Sequence, residues 1–277
     1  MPSIAILYGI LSALTWGAGD FNGGLAVKRS NPYGVIAVAH ALSLVLLLIT
    51  VFLVAEPMPP LHDWLWGGIS GLAGAIGLLL LYRALAEGRM SVAAPVSAVV
   101  AATLPVMVGL LQDGLPGLWI LLGFILALIA VWLVSGGEGL VIRFDTLRMP
   151  VIAGISFGAF FIFIERASQT ALLWPLIAVR IVSVSAMLGY ALLTRQDWIP
   201  KRESIVPLLL SSLLDTFGNG FYALSARTGR LDVAAVLGAL YPGATVLLAW
   251  VFLKEKISRV QAVGILLALG AIILLTL

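Results

Sequence analysis

The sequence predicts an all-α polytopic membrane protein, with ten transmembrane helices arranged as two inverted five-helix repeats. The first observation is composition: the chain of 277 residues is 61% hydrophobic and only 10% charged, with a mean hydropathy of +1.12. Soluble domains carry about 25% charged residues. The second observation is a series of long apolar runs, and the third is a similarity of the chain to itself at an offset of 141 residues. Together they exclude a soluble globular domain.

Ten apolar runs are long enough to cross a bilayer. A helix rises about 1.5 Å per residue, so roughly 20 apolar residues cross the ~30 Å hydrocarbon layer. The connections are short and hold turn formers such as Asn31-Pro32 and Asp113-Gly114. The runs do not alternate apolar and polar residues as barrel strands do. The predicted spans are, in order, 4–22, 34–54, 64–83, 91–111, 118–135, 150–165, 174–193, 205–224, 232–252 and 259–277.

The self-similarity divides the chain into two predicted repeats, residues 1–138 and 139–277. The stretch from Gly88 to Ala94 reads GRMSVAA, and it recurs as GRLDVAA 141 residues later. Further equivalent pairs at the same offset are Gly17 with Gly158, Ala37 with Ala178 and Gly123 with Gly264. A membrane protein built from two related halves is typical of a transporter that arose by duplication.

The distribution of Lys and Arg predicts the orientation. Five spans per half is an odd number, so the second half must cross the membrane in the opposite sense. Of the 16 Lys and Arg residues, twelve lie in the connections after spans 1, 3, 5, 7 and 9, and three lie in the others. Because cytoplasmic loops carry the excess of Lys and Arg, both termini are expected outside. The expected location is the inner (cell) membrane of a bacterium.

Several short motifs resemble one known family. They are Leu240-Tyr241-Pro242, Leu253-Lys254-Glu255, the Gln261-x-x-Gly264 start of the last span, and Trp16-Gly17 with Asp20-Phe21 in the first span. This set is similar to the EamA-type branch of the drug/metabolite transporter superfamily. The resemblance implies a metabolite or drug carrier that works by alternating access, often as an exporter. The first half departs from the pattern, because Pro105 lies one helical turn from Ala101, the residue equivalent to Pro242.

Charged residues inside spans are candidate binding residues. Charge at the bilayer centre is costly, so such residues face a cavity or a partner. Arg180 lies in span 7 and Asp215 in span 8, where Asp215, Asn219 and Tyr222 form one polar stripe at i, i+4 and i+7 spacing. We expect this stripe to line a central cavity. Arg180 then either binds a substrate carboxylate, for which its planar fork is suited, or pairs with Asp215; a purely structural ion pair is the alternative.

A histidine and several aromatic residues complete the predicted substrate site. His40 in span 2 could couple transport to protons, or it could be held by a backbone carbonyl. Rings in a cavity could stack on an aromatic solute or hold a cation, whereas rings near span ends also suit the interfacial belt. The aromatic candidates are Trp16, Tyr82, Phe157, Tyr222 and Tyr241. Prolines Pro95, Pro105 and Pro242 should bend spans 4 and 9, which are candidate gating elements.

The expected function is transport of a small amphipathic metabolite, such as an amino acid, through a cavity between the two halves. A carrier of aromatic or cationic drug-like compounds is the alternative, favoured if Asp215 rather than Arg180 contacts the ligand. A membrane-embedded transferase is a remote alternative, since the chain has no Cys, two His and no acid-rich motif. The expected surroundings are the lipid bilayer and a small-molecule substrate, with protons as a candidate coupling ion. No enzyme activity, cofactor, metal or nucleic acid is expected, and a monomer should suffice.

Overall fold

All regular secondary structure in the described part of the chain is helical. The structure, a computed structural model, describes residues 3–86, 90–135 and 144–276, with side chains at 3–81, 96–134 and 148–276. A 3-10 turn, Arg202–Ser204, precedes α8. The helices are α1 Ser3–Val27, α2 Pro32–Val54, α3 Leu61–Ala86, α4 Met90–Asp113, α5 Leu118–Ser135, α6 Phe144–Ala167, α7 Leu173–Leu193, α8 Ile205–Thr228, α9 Leu231–Gly238, α10 Tyr241–Leu253 and α11 Arg259–Thr276.

Each of the ten predicted spans coincides with a helix or, for span 9, with two consecutive helices. Eight of these segments, α9 and α10 being counted together, are long and apolar enough to cross a membrane. The two others are α5, which is shorter, and α8, which carries Asp215, Asn219 and several hydroxyl residues. The polar residues of α8 lower its hydropathy, and four of them, Ser212, Thr216, Asn219 and Ser225, are buried. The prediction of an all-helical, multi-pass membrane protein is confirmed.

Span 9 is broken and span 4 is not. After Gly238 the helix α9 stops, and α10 begins at Tyr241 with Pro242 in its first turn. Proline has no N–H to donate and is favoured in a first turn, so it suits a new helix start. In contrast, α4 continues without a break through both of its prolines. The two segments therefore differ, as the different proline positions in the two halves indicate.

Small residues let α1 and α8 pack closely as an antiparallel pair. Ser12 Oγ donates to the Gly218 carbonyl at 2.9 Å, and Ser225 Oγ donates to the Ala5 carbonyl at 2.7 Å. The ring of Trp16 lies directly against Gly218, where a Cβ would overlap it. Without a hydrophobic driving force between helices in lipid, such close contacts and hydrogen bonds hold the bundle together.

The pair α3 and α6 packs in a similar way. Ser70 Oγ donates to the Phe160 carbonyl at 3.0 Å. A Cβ added at Gly77 would lie 2.8 Å from the ring of Phe157, so only glycine leaves room for this ring. Phe157 is thus a packing residue between these two helices.

The last helix of each half also forms an antiparallel pair, α5 with α11. Gly123, early in α5, lies against Leu275, late in α11, where an added Cβ would be 2.9 Å from the Leu275 side chain. Gly264, early in α11, lies against Val134, late in α5, at 2.8 Å from its backbone nitrogen on the same basis. At each end of this helix pair, a glycine therefore faces an aliphatic residue and lets the two helices approach closely.

Arg230 and its hydrogen-bond partners, which we call the arginine clasp, hold the start of α9 in place. Arg230 donates to both carboxylate oxygens of Asp232, at 2.7 Å to Oδ2 and 3.1 Å to Oδ1. It also donates to the Gly114 carbonyl, at 2.8 Å, in the connection between α4 and α5. Asp232 is fully buried and accepts from the backbone N–H of Val233 at 2.8 Å. The broken span is therefore tied to the opposite half at this end.

Candidate functional site

Arg180 is the centre of a buried polar network that joins three helices. It lies on α7 and is 4% exposed. Its Nε donates to Ser43 Oγ of α2 at 2.8 Å, and its Nη2 forms an ion pair with Asp215 of α8. Ser43 and Thr216 share a further hydrogen bond of 2.6 Å. Arg180 therefore pairs with Asp215, one of the two arrangements that the sequence left open.

Asp215 is less buried than its partner. Its side chain is 34% exposed, against 5% for the Arg180 side chain. Asn219 Nδ2 donates to the Asp215 carboxylate at 3.1 Å and to its backbone carbonyl at 2.7 Å. One side of the carboxylate is thus held by Arg180 and Asn219, and the rest of it remains accessible.

A small cavity adjoins this network. Its volume is about 60 Å³, which holds a few water molecules but not a metabolite, because ligand pockets usually measure about 300–1,000 Å³. Asp215 contributes to its wall, whereas Arg180 lies behind Asp215 and does not. The other polar lining residues are Asp20, His40, Ser211 and Ser212, and the remaining lining residues are Gly19, Gly23, Val35, Ile36, Ala39 and Leu78.

His40 belongs to this wall. It lies on α2, is half-buried, and its Nδ1 is 3.0 Å from Ser183 Oγ of α7. Ser183 also donates to the Arg180 carbonyl at 3.3 Å. The side-chain hydroxyl of Ser183, rather than a backbone carbonyl, is the partner of the His40 ring in the described part of the chain.

Three aromatic rings stack deeper in the bundle than the cavity. The ring centroids of Trp16 and Phe161 are 5.5 Å apart, those of Trp16 and Tyr222 are 5.5 Å apart, and those of Phe161 and Tyr222 are 4.7 Å apart. Tyr222 is fully buried, and its hydroxyl donates to the Phe161 carbonyl at 3.3 Å. We call these three residues the aromatic plug. It joins α1, α6 and α8.

The cavity and the aromatic plug lie at different depths. The cavity is lined by the later part of α1 and the early parts of α2 and α8, so it lies toward the connections 28–31 and 194–204. In the plug, Phe161 and Tyr222 lie late in α6 and α8, toward the opposite face of the bundle. The plug therefore separates the cavity from that opposite face.

The predicted site residues are thus divided among several places. His40 and Asp215 line the cavity, with Arg180 and Asn219 bonded to Asp215. Trp16 and Tyr222 lie in the aromatic plug, and Phe157 packs against Gly77. Tyr241 begins α10, and its carbonyl lies against Gly17 of α1. The side chain of Tyr82 lies outside the described residues.

Sequence reasoning did not select Ser43, Thr216, Phe161 or Asp20 as site residues. Ser43 lies three residues after His40, on the same face of α2, which is the one sequence signal that pointed to it. Asp20 lies four residues after Trp16, on the same face of α1. Phe161 carried no such signal, because helical spacing gives the faces of one helix but not which helix lies opposite.

An apolar helical bundle with a charged cavity in its interior is the architecture of a multi-pass membrane transport protein. The chain matches the model of the EamA-like transporter family twice, over residues 3–136 and 148–277. It therefore belongs to the EamA-like transporter family, within the drug/metabolite transporter superfamily. The family resemblance of the sequence motifs is confirmed.

A solved crystal structure shares this fold. It aligns with a TM-score of 0.78 at 15% sequence identity, over 100% of this chain and 97% of the other. At this identity the likeness concerns the fold alone. No curated protein sequence matches the chain.

Proposed function

We propose that the protein is a carrier that moves a small amphipathic solute through the cavity between its two halves by alternating access. The observation that supports this most is the convergence of Asp20, His40 and Asp215, from three different helices, on one cavity. Charged groups at this depth are costly unless they serve a partner or a solute. Membership of a transporter family supplies the class of function.

The two halves act as inverted repeats in this proposal. Two pairs of contacts support it. Within each pair, the residues of one contact are related to the residues of the other by the offset of 141 positions. Gly77 against Phe157 becomes Gly218 against Trp16, and Gly123 against Leu275 becomes Gly264 against Val134. The double match to the family model is consistent with the same division. Related halves of opposite orientation provide two similar conformations that open to opposite sides.

Alternating access requires one side to close while the other opens. In the present conformation the aromatic plug fills the space on one side of the cavity. The cavity itself is too small for a solute, so loading requires α1, α2 and α8 to separate on the other side. The broken α9–α10 segment packs against α1 at Gly17, which makes it a suitable moving element on the plug side. We propose this cycle for an exporter or exchanger that works as a monomer.

The cavity wall favours a solute with a positively charged group. Arg180 is bonded to Ser43 and Asp215 and does not line the cavity, so binding a carboxylate would first require it to leave both partners. Asp215 lines the cavity and keeps an accessible oxygen. An ammonium group is therefore the simplest partner. Amino acids and cationic amphipathic compounds both carry one, and the location of Asp215 favours the cationic alternative among them.

Transport by purified protein tests the proposal. We expect the protein in liposomes to exchange at least one radiolabelled amine or amino acid of a panel, and we expect Asp215→Asn to reduce that exchange at least tenfold. The matched control is Glu255→Gln, because Glu255 lies in an exposed connection. Failure of every panel member to exchange in the wild type, or an unchanged rate in a folded Asp215→Asn protein, would refute the proposal.

A further inference from the structure

A groove on the surface of the bundle lies between α2 and α7, and we call it the α2–α7 groove. Its volume is about 220 Å³, and all eight residues that line it are hydrophobic. Its walls include Ala37, Ala41 and Val45 of α2, Val184 and Leu188 of α7, and Trp198 of the connection between α7 and α8. Val45 is 54% exposed and Trp198 is 40% exposed, so the groove is open to the lipid side.

The length and width of the groove fit one hydrocarbon chain. From Ala37 to Val45 the groove follows about 12 Å of α2, which is most of one leaflet of the ~30 Å hydrocarbon layer. Helices α2 and α7 are direct neighbours, since Arg180 of α7 donates to Ser43 of α2 at 2.8 Å. Axes of neighbouring helices lie about 8–10 Å apart, so the seam cannot enclose a further helix, whose diameter is about 10–12 Å. An acyl chain is therefore the better occupant.

The groove ends at a basic surface. Trp198 lies in the connection 194–204, which meets the connection 28–31, because the backbone N–H of Lys201 donates to Ser30 Oγ at 2.8 Å. Together the two connections hold five basic and two acidic residues, a net charge of +3. The basic residues, all exposed, are Lys28, Arg29, Arg195, Lys201 and Arg202, and the acidic residues are Asp197 and Glu203.

Trp198 lies where the hydrophobic groove meets the basic surface. Its carbonyl is so close to the start of α2 that a Cβ at Gly34 would lie 2.4 Å from it. The backbone N–H of Ile199 donates to the side chain of Asp197 at 3.1 Å, which holds the turn around Trp198. Tryptophan is favoured at membrane interfaces because it combines an apolar ring with a polar N–H. The indole of Trp198 can thus contact the chain and the polar part of one lipid.

We propose that the α2–α7 groove binds one anionic phospholipid, with an acyl chain between the two helices and the phosphate against the basic surface of connections 28–31 and 194–204. Clusters of Lys and Arg next to a membrane span attract anionic headgroups, and a headgroup without net charge lacks that attraction. On their buried side the same two helices are joined by the bond between Arg180 and Ser43. The lipid holds them together from the opposite side. This inference does not rest on the carrier proposal.

Lipid titrations of the detergent-purified, full-length protein test the site. The probes are dioleoylphosphatidylglycerol and dioleoylphosphatidylcholine, which have the same acyl chains and differ in net charge, with inorganic phosphate as a soluble anion. Native mass spectrometry counts retained lipids, and the unfolding temperature reports binding to the folded state. We expect one phosphatidylglycerol per chain to be retained. It should raise the unfolding temperature at a concentration at least tenfold below that of phosphatidylcholine, and phosphate should have no effect.

A first variant fills the groove. Ala41→Phe places a ring where the acyl chain lies and should abolish the preference for phosphatidylglycerol. The matched control is Ala262→Phe, the same substitution at an exposed position of α11, and it should behave as the wild type does.

A second variant removes charge from the basic surface. Arg195→Gln combined with Lys201→Gln should weaken phosphatidylglycerol binding at least tenfold, because each basic residue near the headgroup contributes about fivefold. Phosphatidylcholine binding should not change. The matched control is Lys256→Gln combined with Arg259→Gln, which removes two exposed basic residues close to Ala262 in the sequence and should keep the preference of the wild type.

Every outcome decides for or against the site. Equal stabilisation of the wild type by the two lipids, or by neither, contradicts it, and stabilisation by phosphate would mean a site for a free anion. If the double variant of Arg195 and Lys201 keeps the preference, the lipid binds elsewhere. If the lipids act alike and Ala41→Phe changes the oligomeric state in detergent, a second copy covers the groove. Should Ala41→Phe fail to fold, the charge variants still decide.

Discussion

The guanidinium of Arg180 on α7 is ion-paired with the carboxylate of Asp215 on α8, inside a bundle of apolar helices. The pair is asymmetric, because the Arg180 side chain is 5% exposed and that of Asp215 is 34% exposed. Arg180 therefore serves to hold Asp215 at the cavity wall, and Asp215 is the member that a solute can reach. The pair thus links the packing of the bundle to its proposed transport site.

Breaking this pair should destabilise the protein. Arg180→Ala leaves the Asp215 carboxylate and Ser43 without their buried donor, and loss of one partner of a buried pair costs about 3–5 kcal/mol. Partial exposure of Asp215 reduces the expected loss to about 2–4 kcal/mol. Unfolding in detergent measures it, with Arg166→Ala, at the exposed end of α6, as the control.

The double variant Arg180→Ala, Asp215→Ala provides the decisive comparison for the pair. Since it removes both charges, its loss of stability should be smaller than the sum of the two single losses. Additive losses would mean that Arg180 and Asp215 do not stabilise each other.

The close approach of Trp16 to α8 gives a second prediction. Gly218→Ala places a methyl group where the Trp16 ring lies, and forcing extra volume into a packed contact costs about 1–3 kcal/mol. Gly220→Ala is the matched control on the same helix, because a Cβ there meets nothing within 4 Å and alanine is the better helix former. Equal unfolding temperatures for the two variants would contradict the packing of Trp16 on Gly218.

The arginine clasp gives a third prediction. Arg230→Ala removes the donors to Asp232 and to the Gly114 carbonyl, and it leaves Asp232 buried without its counter-charge. Hydrogen bonds to Asp232 raise the pKa of Arg230, so the guanidinium stays protonated through the neutral pH range. We expect at least tenfold faster hydrogen exchange in α9, and no such change in Arg227→Ala, whose side chain is exposed. Unaltered protection of α9 in Arg230→Ala would argue against the clasp.

Much of the fold follows from the sequence, because the length of each apolar run and the offset of 141 residues are both visible directly along the chain. Arg180 and Asp215 stand out by charge alone, since a charged side chain inside an apolar span usually faces a cavity or a partner. Pro242 predicted a bend in span 9, and the structure has a break there, after Gly238. Pro105, at a different position in the first half, did not produce a break in α4, because a proline can be accommodated inside a helix by its neighbours.

The parts that the sequence did not reveal depend on which helices are neighbours. Tyr222 shares a helical face with Asp215, yet it stacks on Trp16 and Phe161 rather than lining the cavity. Asp20 resembles an interfacial residue until α2 and α8 are placed around it. Periodicity defines a face of one helix, and only the packing of several helices decides whether that face meets a cavity or another ring.

The sidedness of Leu115 and Lys256 tests the inverted arrangement of the two halves most directly. These exposed residues are 141 positions apart and follow α4 and α10, and the chain has no native cysteine to interfere. Single variants Leu115→Cys and Lys256→Cys are treated in intact cells with a thiol reagent that cannot cross the membrane. We predict labelling of Leu115→Cys from outside and of Lys256→Cys only after permeabilisation. Labelling of both from the same side would contradict two oppositely oriented halves around one cavity.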